Sequence, residues 1–388
     1  MTESPSQPSF NERFDNLLIA PARVMKMIGK RGPGEVLFEE SEQGDARRQL
    51  LNVEKVAIKN KELQAKHDAS YLDSVRYDLH EQLLTDLHAE LENSENVYRR
   101  TLSLSEDTPA MLDVMSVKAT SVSKIEPFAA AQPWLYDELM QVVNSPTHRR
   151  RDSKGRVIVV ESMRTALSFL GIENLRVLLP ALVLRRAIPQ ITDPYPLIKH
   201  QLLNYAYGTA VTARELSRFG SIRPTEAYTL GMLSNLGRCA IIRLYFRLFD
   251  QVQRRMLEEA QSNRQRDLHD ALLKLRPSAN YLIALQNEYA EKVTADIFEH
   301  MHFKRLGIAE AMRTIATDGE STPGSLVELL RQSRLYTQVR MAHRSKVLEK
   351  DEIKDAIRQQ PKYPSGSLEV LRGVNIFQLP VTSNTEDA

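Results

Sequence analysis

The 388-residue chain has one cysteine, Cys239, and one tryptophan, Trp134. A single thiol excludes internal disulfides and cysteine-rich zinc sites, and it fits a reducing cytosol. Cys239 itself reads as a small buried apolar residue rather than a nucleophile. The chain also lacks charge of one sign: 52 basic against 50 acidic residues leave a formal +2. No global field would therefore draw it to nucleic acid or anionic membrane, and any such binding needs a local patch. Met1 to Phe10 has neither the basic start nor the apolar stretch of a signal peptide. Apolar runs are short. Val177 to Leu184 is interrupted by Pro180 and closed by Arg185 and Arg186, against the roughly 20 residues a membrane span needs. These absences point to a cytoplasmic protein without membrane contact.

Catalytic signatures are missing as well. There is no Gly-x-Ser-x-Gly, no Gly-x-x-x-x-Gly-Lys and no His-Glu-x-x-His. Glu299, His300 and His302 lie close in sequence, but side chains at i, i+1 and i+3 splay around a helix and do not converge on a metal.

What is present is ordinary globular material, 42% hydrophobic and 26% charged, enough to bury a sizeable core. The length fits one core domain of about 200 residues with extensions, or two to three small domains. Residues 1–45 are polar and carry the turn signal Arg31-Gly32-Pro33-Gly34. They read as partly disordered, with one short amphipathic piece at Leu17 to Ile28. A helical extension follows over residues 46–100, because Gly and Pro are absent from Ala46 to Thr108 and Leu72, Val75, Leu79, Leu83 and Leu87 recur at three- and four-residue steps. That stripe must bury against something, either a partner, which makes helix 72–91 a homodimer candidate, or the chain's own core. His67, His80 and His88 on the same stretch read as solvated or edge histidines.

Residues 101–320 form the main helical domain and 321–388 a C-terminal helical segment with a polar tail. Ser162 to Leu170 reads as a helix stopped by Gly171, followed by helices at about Glu173 to Ala187, Leu197 to Phe219 and Arg238 to Phe249. Pro224 opens another that leads into Gly231-Met232-Leu233-Ser234-Asn235-Leu236-Gly237. Arg156 to Val160 is the one β-like stretch, too short for a sheet. The fold class is all-α.

Three segments together resemble the HDOD family, a bacterial signalling branch of the HD phosphohydrolase superfamily that lacks its catalytic residues. Pro133-Trp134-Leu135 with Leu139 to Asn144-Ser145-Pro146 is similar to the family's Asp-Pro-x-Leu helix ending in Asn-Ser, with Gln132 where the Asp is usual. Ala166 to Gly171 is similar to its helix ending in Leu-Gly, and Gly231 to Gly237 to the turn that holds the His-Asp metal pair in HD enzymes. Here that pair reads Ser234-Asn235. A hydroxyl and a neutral amide supply weak dipoles and no charge, so they do not hold a hard divalent ion as an imidazole and a carboxylate do. The residue nearest the expected upstream histidine is Tyr205, with His200 five residues earlier. The resemblance implies a compact helical bundle, an HDOD-like domain with a helical N-terminal extension, used as a regulatory module without demonstrated catalysis.

The remaining functional candidate is the basic loop 148–156, where Arg149, Arg150, Arg151, Lys154 and Arg156 face one acid, Asp152. Guanidinium forks of this kind clamp phosphate or an acidic partner. The sequence thus leads to a non-catalytic signalling or scaffolding module acting through a protein partner, with no metal and no cofactor. Nucleotide or nucleic-acid binding through the basic loop and a residual metal-dependent phosphohydrolase are the alternatives.

Overall fold

A computed structural model describes residues 8–29, 52–146, 154–349, 351–353 and 363–381, the stretch 52–66 by its backbone alone. Every regular element among the described residues is a helix. In chain order they are α1 (Phe10–Ile19), α2 (Pro21–Met27), α3 (Asn52–Leu91) and a short α4 (Ser94–Asn96) that runs into a π-helical turn. Next come α5 (Asp107–Ser116), α6 (Val122–Ala130), α7 (Pro133–Asn144), α8 (Met163–Ala187), α9 (Ile198–Ser217) and α10 (Pro224–Leu233). The chain closes with α11 (Leu236–Ser262), α12 (Arg266–Lys274), α13 (Ala279–His300), α14 (Ile308–Ala316), α15 (Leu326–Arg344) and α16 (Ser367–Gly373).

Local chemistry sets the boundaries. Ser9 and Ser325 accept hydrogen bonds from the backbone N–H of Glu12 and Glu328, the S-x-x-E spacing of a capping box. Pro133 and Pro224 stand in the first turn of α7 and α10, where a missing N–H costs nothing. Gly171 breaks α8 at φ +73° and ψ 161°, a conformation open mainly to glycine. The Leu170 stop read from the sequence is this kink. Beyond it α8 continues through Pro180 to Ala187 without a second break. By length and composition α8 would pass for a membrane span, but 67% of its apolar window is buried inside the fold, so core packing accounts for its apolarity.

The centre of the molecule is formed by α9, α10, α11, α13 and α15, with α5 to α8 packed on one another and, through α8, on α10. Two elements depart from the sequence reading. The expected amphipathic piece at Leu17 to Ile28 is two helices, because Pro21 forces Ala20 out of helical geometry and starts α2. The apolar face of α1 begins earlier than expected, at Phe14, and is buried together with Leu17, Leu18 and Ile19. Residues 30–45 of the same expectation lie outside the described residues.

The stripe of α3 packs within the chain. Val75, Leu79, Leu83 and Leu87 are buried and Leu72 half-buried, on a helix that packs against α11 and α12. Ion pairs from Arg247 to Glu90 and from Arg255 to Asp86, at 2.8 and 3.1 Å, border the contact. A partner helix would need another face of 72–91. His67 and His88 are exposed, and His80 is half-buried at the edge of the stripe. Its ring stacks on Tyr281 with centroids 3.8 Å apart and planes 7° from parallel, because position 80 flanks the buried stripe.

Candidate functional site

The turn that carries Ser234 and Asn235 is held between glycines that serve packing. A Cβ on Gly231 would lie 2.7 Å from the Ala210 Cα on α9, and one on Gly237 would lie 2.1 Å from the Ala290 carbonyl oxygen on α13. Both glycines therefore let helix backbones approach more closely than any side chain permits. Gly237 N–H donates to Thr294 Oγ1 at 3.0 Å, and that hydroxyl donates to Ala290 O at 2.7 Å.

Ser234 and Asn235 are 2% and 1% exposed. Ser234 Oγ donates to Gly231 O at 3.1 Å, closing the end of α10. Both polar atoms of the Asn235 side chain are buried without a partner among the described residues. Neither side chain opens to solvent among the described residues, where an HD-like frame suggests a groove.

An ion pair stands behind it. Arg334, on α15, meets Glu291, on α13, through Nη1–Oε1 and Nη2–Oε2 contacts of 2.9 and 3.1 Å, and its Nη2 also donates to Ser234 O at 3.2 Å. Burial alone would lower the Arg334 pKa, but the charge of Glu291, the Tyr205 hydroxyl and the hydrogen bonds to Glu291 together raise it, so the guanidinium stays charged. A fixed cation thus touches the backbone of the turn where a metal pair would sit.

Tyr205 and His200 part company. Tyr205 is buried in the core, its hydroxyl 3.4 Å from Gln338 Nε2. Burial pushes its pKa up, against the pull of Arg334 and Arg238. The Phe14 ring of α1 meets the Tyr205 ring at 5.1 Å in an edge contact. His200 is exposed on the outer side of α9, where its ring bonds Asn204 at 3.2 Å. α1 packs on α9, α13 and α15, so the N-terminal helix closes the side of the bundle that Tyr205 faces. Asp15 of α1 bonds Asn287 at 3.2 Å, and its carboxyl is raised by burial against the pull of Arg238.

The remaining motif residues hold the frame. Leu135 is fully buried. Asn144 brackets Val160, its Nδ2 donating to Val160 O and its Oδ1 accepting from Val160 N, both at 2.9 Å. That pair ties the end of α7 to Val160 like two rungs of a sheet. Ser145 Oγ donates to Val142 O at 2.7 Å and ends α7. Gln132, in place of the usual Asp, accepts from Thr108 Oγ1 at 2.8 Å and donates to Phe128 O at 3.0 Å, tying α5 to α6. Arg149, Arg150 and Arg151 lie outside the described residues, and Lys154 and Arg156 are exposed at the loop's end.

Among the described residues no group of three or more His, Cys, Asp or Glu is arranged to hold a metal ion. Glu299 instead pairs with Arg313 at 2.6 Å, while the His300 ring lies 5.2 Å from Tyr98. Cys239 is fully buried, with its thiol pushed up to about 12 by burial, the state of an inert core residue.

Sequence reasoning missed Arg334 and Glu291, which are 43 residues apart on different helices. It also missed Asp113, whose carboxylate accepts from the backbone N–H groups of Lys304, Arg305 and Leu306 at 2.6, 3.0 and 3.2 Å. No local pattern marks either arrangement.

Residues 103–276 match the HDOD domain family. No curated protein matches the chain in sequence. Among solved structures, a Shewanella amazonensis SB2B protein described as a metal-dependent phosphohydrolase is similar over 77% of this chain and 95% of its own, at 12% identity and a TM-score of 0.44. A likeness of that size carries no activity across.

Proposed function

The chain carries an HDOD domain over residues 103–276, and from that premise we propose that it is a non-catalytic signal-transduction or scaffolding module that works in the cytoplasm by binding a protein partner. One observation carries the reading. The turn at the metal-pair position is neutral, buried and touched by the Arg334 guanidinium, which Glu291 holds in a two-pronged pair.

A divalent ion at this turn would meet a fixed positive charge, a hydroxyl already bonded to Gly231 O, and an amide without charge. Substrate would also need a route past α1, whose Phe14 is packed on Tyr205. An HD-type reaction needs an open position on the metal for water and phosphate, and neither the charge nor the burial here favours one. Tyr205, Gly231 and Gly237 serve instead to pack α9, α10, α11 and α13 together. This gives a closely packed helical body, and a preorganised surface suits recognition because little freedom is lost on binding.

The reading is tested with the intact chain in two measurements. Affinity capture should return a protein partner that binds the purified chain saturably. Incubation with phosphomonoesters and phosphodiesters in Mg²⁺, Mn²⁺ or Fe²⁺ should give no turnover above buffer. Metal-dependent turnover that disappears on chelation would reject it.

A further inference from the structure

A cavity of about 610 Å³ lies where α1 meets α2, walled by the loop before α9, the entry to α13 and the face of α3 that carries Arg76. Neither Ser234 nor Asn235 lines it. The volume is in the range of sites that hold a small ligand or a peptide side chain with its neighbours.

Its walls are apolar and stiff. Pro21, Pro194, Pro196 and Pro277 contribute to the lining, and each has its φ fixed by the ring. Tyr195 Oη donates to Pro277 O at 2.8 Å, and Thr192 Oγ1 donates to Tyr195 O at 3.0 Å, so the loop before α9 is tied in place. The shape therefore exists before any ligand arrives. Leu197, also on the wall, leaves 52% of its surface exposed.

Charge in the lining has one sign. It includes Arg23, Arg76 and Arg276 and no acidic residue. Arg76 pairs with Asp73 on its own helix. Arg276 donates to the carbonyl of its neighbour Leu275 at 3.3 Å, and no carboxylate pairs with Arg23 or Arg276 among the described residues. Three guanidiniums from three separate elements thus share one apolar pocket.

Other polar groups are already engaged. The Tyr195 hydroxyl is bound to Pro277, Ser278 N–H donates to Tyr245 Oη at 2.6 Å, and Ser278 Oγ caps Tyr281 N. Prolines bring no N–H. A nucleobase entering here would find few groups to read its edge, whereas an apolar side chain with carboxylates beside it would find an apolar wall and guanidinium forks.

We propose that this pocket binds an acidic peptide segment of a protein partner, one bulky apolar side chain entering the proline-walled cavity and flanking carboxylates pairing with Arg23, Arg76 and Arg276. This rests on reading the chain as an interaction module, and it names the partner's chemistry.

The test is fluorescence anisotropy on the full chain with labelled hexapeptides, each carrying Leu-Phe, Leu-Trp or Ile-Phe between two pairs of glutamates. Matched peptides with glutamines serve as controls. The glutamate peptides should bind at least tenfold more tightly than the glutamine ones. The R23Q/R276Q variant should lose at least tenfold while melting at the wild-type temperature, since both side chains reach solvent. Binding should also weaken as salt rises. Absence of binding, or binding unchanged by R23Q/R276Q, overturns the proposal. ATP or phosphatidylglycerol vesicles that bind through the same arginines in place of the peptides overturn it too. A partner captured equally by R23Q/R276Q would leave the interaction-module reading standing and remove this pocket from it.

Discussion

Arg334 and Glu291 meet in a two-pronged ion pair, 2.9 and 3.1 Å long, directly behind the backbone of Ser234. The pair joins α15 to α13 and brings a cation to the turn where a metal would be bound. Removing one partner leaves the other charge uncompensated, which costs more than the pair contributes. Glu291→Gln should therefore destabilise the chain by about 2 kcal/mol, a value below that of a fully buried pair because Glu291 is partly exposed. Combining it with Arg334→Met should recover much of the loss. Chemical denaturation of the three variants checks this, and an additive double variant would contradict it.

Gly237→Ala should be among the most damaging small substitutions in the chain. Its new Cβ would stand 2.1 Å from Ala290 O and 2.5 Å from Thr294 Oγ1, so α11 and α13 would have to part. Overpacking of this kind costs roughly 1–3 kcal/mol or more, and the melting temperature should drop by several degrees. Gly220→Ala, which meets nothing within 4 Å, is the control that should change little.

Leu79→Asp would set an unpaired charge into the contact that α3 makes with α11 and α12. The expected cost is on the order of 3 kcal/mol or more. Because the stripe is buried within the chain, the loss should appear as a lower melting temperature that does not depend on protein concentration. A concentration-dependent loss of assembly with an unchanged fold would point to a partner-facing stripe.

His80 gives the fold an acid sensitivity. Burial, helped by Arg76, holds its imidazole down to about 4 from the ordinary 6.5. Between those values the unfolded chain takes up the proton and the folded chain does not. Its contribution to stability is therefore complete above pH 6.5 and is lost as pH falls toward 4. His80→Phe keeps a ring against Tyr281 and removes the titration. Between pH 7 and pH 5 the variant should lose less melting temperature than the parent, and parallel pH profiles would refute this role.

Much of the helical order was legible in the chain. Pro133, Pro224, Gly171 and the spacing from Leu72 to Leu87 each act through local geometry, which a sequence displays directly. Val75 to Leu87 left open what covered them, because periodicity shows that a face is buried and not against what. The start of α1 is not legible because Phe10 and Phe14 lie among polar residues whose composition alone suggests disorder. At the candidate site, Ser234 and Asn235 were identifiable from the frame of glycines around them. Their burial was not, since it depends on helices distant in sequence: Arg334 of α15, held by Glu291 of α13, meets Ser234 O, and the flanking glycines let α9 and α13 close on the turn.

The proposed function requires the Ser234–Asn235 turn to be a packed core element and not a reaction centre. Phosphoester hydrolysis by the full chain, measured with and without Mn²⁺ and repeated for the S234A/N235A variant, tests it most directly. Neither protein should show turnover, and neither should retain metal after desalting. Metal-dependent turnover in the parent that S234A/N235A abolishes, with the fold intact by circular dichroism, would contradict it.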